Sequence, residues 1–221
     1  TPEVTIISNS PERLVQYNAS TNILQTLPIA GTRGRGKSEA EDACIGEALL
    51  NNEKERAEHL MLVDLLRNDL GRVALPASVN VPRSFFLERY SHVTHLVSEV
   101  TAELDPQYTI WDVLGSVFPG GTITGCPKVR CMEILSEIET VPRSFYTGSL
   151  GYIDFRGHSD WNILIRSIFN DTLNDRLSAH FGAGIVADST PEAEYKECFR
   201  KFAALEQVLT SIESKASGAL K

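Results

Sequence analysis

An α+β fold, with largely antiparallel sheets flanked by helices, is the class this sequence predicts. Three observations carry it. Strand-like and helix-like stretches come in mixed blocks rather than in strict alternation. Several stretches join β-branched and aromatic residues, with turn residues between them. Two long stretches place apolar residues at steps of three and four, as amphipathic helices do.

Taken in order, "EVTIIS" and "RLVQYN" read as strands separated by a turn at Ser10-Pro11. "TNILQTLPIAGT" reads as one further strand ending at a glycine. A helix is expected from about Ser38, where Ser38 and Glu41 have capping-box spacing. "NEKERAEHLMLVDLLRNDLG" predicts a long helix, rich in Glu, Leu, Arg and Lys and stopped by Gly71. "SFFLERYSHVTHLVSEVTAEL" has strand composition. "TIWDVLGSVF" predicts a short helix, and "PKVRCMEILSEIE" a longer one after a glycine-rich loop. "FYTGSLGYIDF", "WNILIRSIFN" and "RLSAHFGAGIVADS" are strand candidates, and a helix from about Pro191 to Ser214 closes the chain. The expected organisation is one catalytic domain over residues 1–214 and a tail at 215–221. The abrupt opening in a strand suggests the later part of a longer protein.

Bulk properties exclude some functions. Apolar residues make up 42% and charged residues 23% of the 221, a globular balance. No apolar run is long enough to span a bilayer, so no membrane partner is expected. The net charge of −8 argues against a nucleic-acid partner. Cys44, Cys126, Cys131 and Cys198 form no C-x-x-C pair. They read as reduced thiols in a cytoplasmic protein, and their spacing disfavours zinc.

"GTRGRGKS" matches the phosphate-loop pattern letter for letter. The magnesium-binding run that should follow it, "HLMLVD", instead sits in a helical pattern. Leu62, Leu65, Leu66 and Leu70 recur there at helical steps. A phosphate-loop enzyme also needs a parallel sheet. "GRGKS" therefore reads as a mobile surface turn.

The last helix is the most informative. Tyr195, Cys198, Phe202, Leu205, Leu209 and Ile212 make a packing stripe. Glu194, Glu197 and Lys201 follow the same steps one residue earlier. They form either a solvated charged face or two hard oxygen ligands for magnesium with a lysine for an anion. Glu58 adds a helix carboxylate. His92 and His95, three apart on a strand, point to opposite faces, so at most one faces a site. "FPGGTITGCPK" and "FGAGIVADS" are either tight turns or backbone cradles for an anion. Arg166, a cation in an apolar strand, should meet a carboxylate of the protein or of a ligand. Together these features suggest an acidic magnesium site beside anion binders, and a small carboxylated ligand.

The series "SPERLV", "PIAGT", "KERAEHLMLVDLLRNDLGRV", "ERYSHVTHLVS", "FPGGTITGCPKVRCMEI", "GSLGYIDF", "NILIRS", "GAGIVADS" and "EYKECFRK" resembles the chorismate-binding enzymes. Within them it is similar to the synthase subunits of aminodeoxychorismate synthase and anthranilate synthase. The resemblance runs from about Ser10 to Ala204 and covers the family's C-terminal half. It implies a chorismate-binding α/β sandwich. It also implies Mg2+ held by Glu58 and Glu197, with Glu194 beside them. Tyr152, Arg166, the backbone of Gly182, Ala183 and Gly184, and Lys201 would hold the carboxylates of chorismate. Thr122 would line the pocket, Glu12 would protonate the departing hydroxyl, and His95 would assist proton transfer. A glutamine amidotransferase would deliver the ammonia.

"DLLRND", "FPGGTITG" and "GSLGYIDF" look more like the enzyme that makes 4-amino-4-deoxychorismate on the way to p-aminobenzoate and folate, and that reading ranks first. "ERYSHV" and "GAGIVADS" lean towards the anthranilate enzyme of the tryptophan pathway. Ala30 stands where many 4-aminating relatives carry a lysine thought to attack the ring, and alanine has no nucleophile. A catalytically inactive scaffold that binds an amidotransferase is the non-enzymatic alternative. The acidic residues Glu12, Glu58, Glu194 and Glu197 speak against it.

Overall fold

The structure, a computed structural model, describes residues 3–218. Its contacts divide the chain into two compact units. The larger comprises Glu12–Pro142 and Gly148–Ile163. The smaller takes residues 3–11, 143–147 and 164–218 of the described chain.

The larger unit is a seven-stranded antiparallel sheet with helices. It contains β2 (Arg13–Asn18), β3 (Ile23–Thr26), β4 (Ile29–Gly34), β5 (Asn80–Arg89), β6 (Val93–Glu103), β7 (Ser149–Ile153) and β8 (Ser159–Ile163). The pairing order is β4-β6-β3-β2-β8-β7, with β5 also on β6. β6 is the central strand, buried without a break from Thr94 to Ser98. β5 runs along one edge of it, and β3 and β4 follow one another along the other. Ile23 to Thr26 face Glu103 to Val100, and Ile29 to Gly34 face Val97 to Val93. "TNILQTLPIAGT" is therefore two strands in one line rather than a single strand. Pro28 makes the break, because it has no N–H for the ladder, while its carbonyl still accepts from Ser98 N at 3.3 Å.

The unit's helices are α1 (Glu39–Leu50), α2 (Glu53–Gly71), α3 (Ile110–Val117), α4 (Gly121–Thr124) and α5 (Lys128–Ile138). Ser38 caps α1 by accepting from Glu41 N. The Glu41 carboxylate accepts from Lys37 N instead of Ser38 N, so the capping box is only half formed. α2 starts at Asn52, whose side chain accepts from Glu55 N at 2.9 Å. Its Leu62, Val63, Leu65, Leu66 and Leu70 are buried. Each such leucine is worth about 1.5–3 kcal/mol relative to exposure, which fixes which face of α2 meets the sheet.

The smaller unit pairs β1 (Val4–Ser8), β9 (Ser167–Asp171) and β10 (Arg176–Ser178) in the antiparallel order β1-β9-β10. α6 (Pro191–Gly218) closes it, running past the expected end at Ser214; residues 219–221 of the expected tail lie outside the described residues. β1 and β2 do not form a hairpin. β1 pairs instead with β9, from Val4 opposite Asp171 to Ser8 opposite Ser167.

"WNILIRSIFN" also divides. β8 ends at Ile163 and β9 begins at Ser167, so Arg166 is not inside a strand. It turns the chain with φ 50°, in the left-handed region. In "RLSAHFGAGIVADS" only Arg176–Ser178 is strand, and the glycines lie in irregular backbone.

Candidate active site

Each unit carries part of the expected residue set. In the larger unit Glu12 immediately precedes β2, and its carbonyl accepts from Ile163 N at 3.0 Å, at the end of β8. Glu12 and Thr122 line one cavity, with Thr26, Leu66, Gly120 and Ile163 among its other walls. Here the double glycine of "FPGGTITG" has a packing reason. A Cβ on Gly121 would run into the Leu65 side chain of α2, and one on Gly120 would lie 2.9 Å from Ile163 Cδ1. Ile123 N and Gly125 N donate to Gly120 O and Gly121 O. The segment thus spends these amides on its own short helix rather than on an anion cradle.

Ala30 and His95 lie on adjacent strands. Ala30 is 7% exposed in β4 opposite Leu96, and His95 is 2% exposed in β6. A bulge separates Ala30 from Thr32 at Gly31, whose φ is 68°. A Cβ there would meet the Glu55 carboxylate and, at 2.8 Å, Leu49 Cδ1. The bulge sets Thr32 opposite His95, and Thr32 Oγ1 lies 2.8 Å from His95 Nδ1. The Tyr90 ring stands edge-on to His95 at 5.7 Å. His92 is exposed just before β6 begins.

Glu58 is half-buried on α2, and its carboxylate makes no hydrogen bond or ion pair among the described residues. Its neighbour His59 holds the helix in place. His59 is fully buried, with Nε2 2.7 Å from Ser98 Oγ on β6. The same oxygen accepts from Phe85 N at 3.0 Å. His59 was not among the residues singled out by motif, yet it continues the Leu62, Leu66 and Leu70 stripe towards the helix start.

Burial pushes the His59 imidazole down to about 4. Its folded value lies below the ordinary 6.5, so the unfolded chain takes the proton first as pH falls. Stability from this group is complete above pH 6.5 and is lost as pH drops through about 4. Urea denaturation across that window should show a loss of about 2–3 kcal/mol. His59→Asn should remove that slope; a slope unchanged by the substitution would refute the assignment.

Tyr152 lies apart. It is 59% exposed on the edge strand β7 and lines a separate polar hollow with Gln16, Asp154, Arg156 and His158.

In the smaller unit Lys201 Nζ donates to Gly182 O at 2.9 Å and pairs with Glu197 Oε1 at 2.9 Å. This ties α6 to the glycine segment. A Cβ on Gly182 would lie 2.7 Å from Tyr146 Oη, whereas one on Gly184 would enter open space. Tyr146 stacks on His180 with centroids 5.6 Å apart. Within this unit Tyr146 is thus the tyrosine beside Gly182. Glu194 accepts from Ser189 Oγ at 2.7 Å, one turn before Glu197. Arg166 is half-buried, and no carboxylate pairs with it among the described residues. The stripe on α6 is less buried than its spacing implies. Phe202 packs on Phe181 at 5.1 Å, but Tyr195 is 67% exposed. The side chain of Ile212 lies outside the described residues.

Glu58 belongs to one unit, and Glu194 and Glu197 to the other. Among the described residues no three His, Cys, Asp or Glu side chains converge on a common point as metal ligands. The donor chemistry does suit a hard divalent cation, since Glu194 and Glu197 are carboxylates one helical turn apart.

"GTRGRGKS" already holds an anion of its own. Arg35 grips Asp42 with a fork of 2.7 and 2.9 Å, Gly36 N donates to Asp42 at 3.0 Å, and Arg89 lies 3.4 Å away. The Arg35 hydrogen bonds hold the Asp42 carboxyl down at about 2. The expected mobile turn is a tethered one, and its strand β4 runs antiparallel to β6, unlike that of a phosphate loop.

This antiparallel α+β chain thus carries a buried His95, Glu12 beside Thr122, and Lys201 bridging a glycine segment to acidic Glu197. The chain belongs to the chorismate binding enzymes, which match it over residues 1–207. It is 48% identical to aminodeoxychorismate synthase component 1 of Bacillus subtilis, over 97% of this chain and 45% of that protein. It is 50% identical to anthranilate synthase component 1 of Methanothermobacter marburgensis, over 90% of this chain and 42% of that protein. The crystal structure of anthranilate synthase component I from Streptococcus pneumoniae superposes with a TM-score of 0.81 at 40% identity, covering 90% of this chain and 43% of that one. The chain thus spans less than half the length of each of these relatives.

Proposed function

We propose that this chain is the chorismate-binding part of an enzyme that aminates chorismate to 4-amino-4-deoxychorismate. Ammonia would come from a glutamine amidotransferase subunit, in keeping with the "component 1" names of the relatives. The observation that carries the reading is Arg166, a half-buried guanidinium that no carboxylate of the described chain neutralises. A cation so placed is costly unless an anionic ligand completes it. Lys201 and the backbone from Gly182 to Gly184 would hold a second carboxylate, with Tyr146 beside them. Glu12 would protonate the departing ring hydroxyl, which leaves as water while ammonia adds to the ring. His95, held by Thr32, would assist proton transfer, and Thr122 would line the pocket. Mg2+ would offset the charge of the ring carboxylate, with Glu194 and Glu197, one helical turn apart, among the carboxylates that would hold it. A cytoplasmic location belongs to this reading and accords with four free thiols.

The 4-amino product is supported by "DLLRND", "FPGGTITG" and "GSLGYIDF", and by the B. subtilis relative matched over 97% of the chain. A second reading, anthranilate, is favoured by Ala30. It sits 7% exposed in β4 and brings no amine to the ring. The full-length protein given chorismate, a magnesium salt and an ammonium salt should form 4-amino-4-deoxychorismate. Anthranilate would overturn that choice of product, and no turnover would favour the scaffold.

A further inference from the structure

We propose that the cavity beside Glu12 is a built site for one water molecule, held by the hydroxyls of Thr26 and Thr122, that relays a proton to Glu12. The role of the relay rests on the chorismate-aminating reading. The cavity offers the centre of a water-sized molecule about 10 Å³, room for one. Its walls are mainly apolar: Leu14, Leu62, Leu66 and Ile163 are all buried. Two hydroxyl residues interrupt them. Thr122 Oγ1 is sequestered from solvent with no hydrogen-bond partner. Thr26 is 1% exposed at the end of β3, and its hydroxyl makes no hydrogen bond among the described residues. A buried hydroxyl left unpaired is costly, and one water in the cavity remedies that of Thr122 while meeting Thr26 on the same wall. One water accepts from or donates to both, and Glu12 on the same wall supplies a third polar partner.

The chemistry gives that water a task. Glu12 hands its proton to the leaving hydroxyl once per turnover and must regain one before the next. Thr26 and Thr122 are positioning residues in this scheme, because they act through the water on Glu12. No bond to carbon changes at this site; the proton that the nitrogen sheds after ammonia adds to the ring passes to the water, and the water gives one to the Glu12 carboxylate, so each turnover closes without net gain or loss of a proton.

The test uses the full-length protein with Thr26→Val, which keeps shape and removes the hydroxyl, and Thr26→Ser, which keeps the hydroxyl. Crystal structures that resolve solvent should show one ordered molecule in the wild-type and Thr26→Ser cavities and none in Thr26→Val. In Thr26→Val, kcat with ammonium as nitrogen donor should fall about tenfold and its pH profile should shift, with the KM for chorismate unchanged. Thr26→Ser should restore both. A dry wild-type cavity overturns the site whatever the activity. A wet one in a protein that never turns over chorismate leaves the site standing and overturns the aminating reading instead. A Thr26→Val enzyme that has lost the water but keeps the wild-type pH profile overturns the relay. So does one in which only the KM for ammonium rises, since the cavity would then hold the nucleophile. Should Thr26→Val fail to fold, Thr122→Val with the same readouts decides.

Discussion

Lys128→Met should destabilise the larger unit by about 3–5 kcal/mol, the range for breaking one half of a buried ion pair. Lys128 Nζ lies 2.6 Å from Asp69 Oδ2 and 3.1 Å from Val117 O. Asp69 is 1% exposed at the end of α2, and the lysine side chain is 13% exposed. Burial pushes the Asp69 carboxyl up, and the Lys128 ammonium opposes that rise. Removing the ammonium leaves only the weaker pull of Arg72 against the burial. The carboxyl then rises further above its unfolded value near 3.9, so stability falls as pH climbs through the folded value. The variant should accordingly lose less at pH 5 than at pH 7. Asp69→Asn added to Lys128→Met should recover much of the loss, because an amide carries no charge into the core. Urea denaturation of the four proteins at both pH values measures this. A single-variant loss below about 1 kcal/mol would mark the pair as an ordinary surface contact. The consequence reaches the site as well, since Val117 and Lys128 bracket the segment that places Thr122 beside Glu12.

The elements that depend on one face of apolar residues were legible from residue spacing alone. α2 follows Leu62, Leu66 and Leu70, and the run of β-branched and aromatic residues from Ser84 is strand as expected, though it divides into β5 and β6. Breaks set by a single residue were harder to see. Pro28 divides β3 from β4 while leaving both on the same edge of β6. Arg166 ends one strand line by a left-handed turn, and nothing in its side chain announces that. The two units were hidden for a further reason. Residues 143–147 leave the larger unit for five positions and return, and no local pattern encodes so brief an excursion. The candidate site shows the same contrast. Glu194, Glu197 and Lys201 stood out by helical spacing, whereas the roles of Glu12, Ala30 and Thr122 came from resemblance. Tyr146 sits in a loop, where periodicity says nothing, and its place beside Gly182 comes from the structure alone. His59 shows the converse, a polar residue on an apolar stripe whose partner, Ser98, lies 39 positions away.

Glu197→Gln should abolish magnesium-dependent turnover and leave the fold intact. Glu197 lies on α6 one turn after Glu194, and its Oε1 pairs with Lys201 Nζ at 2.9 Å. That pair is well exposed, at 45% for the glutamate and 37% for the lysine. Its contribution to stability is therefore about 0–1 kcal/mol, and the melting temperature should barely move. Glutamine keeps the length and helix propensity of glutamate. It replaces a negatively charged hard ligand by a neutral amide oxygen, which a dehydrating Mg2+ binds far less well. It also releases Lys201 to Gly182 O alone, so the lysine loses its counter-charge. A metal role predicts turnover down by about 10²–10³-fold and a calorimetric Mg2+ titration that no longer saturates. A role confined to orienting Lys201 predicts an unchanged Mg2+ titration with a raised KM for chorismate. The second pattern would remove Glu197 from the metal site and leave it as the partner that aims Lys201 at the substrate.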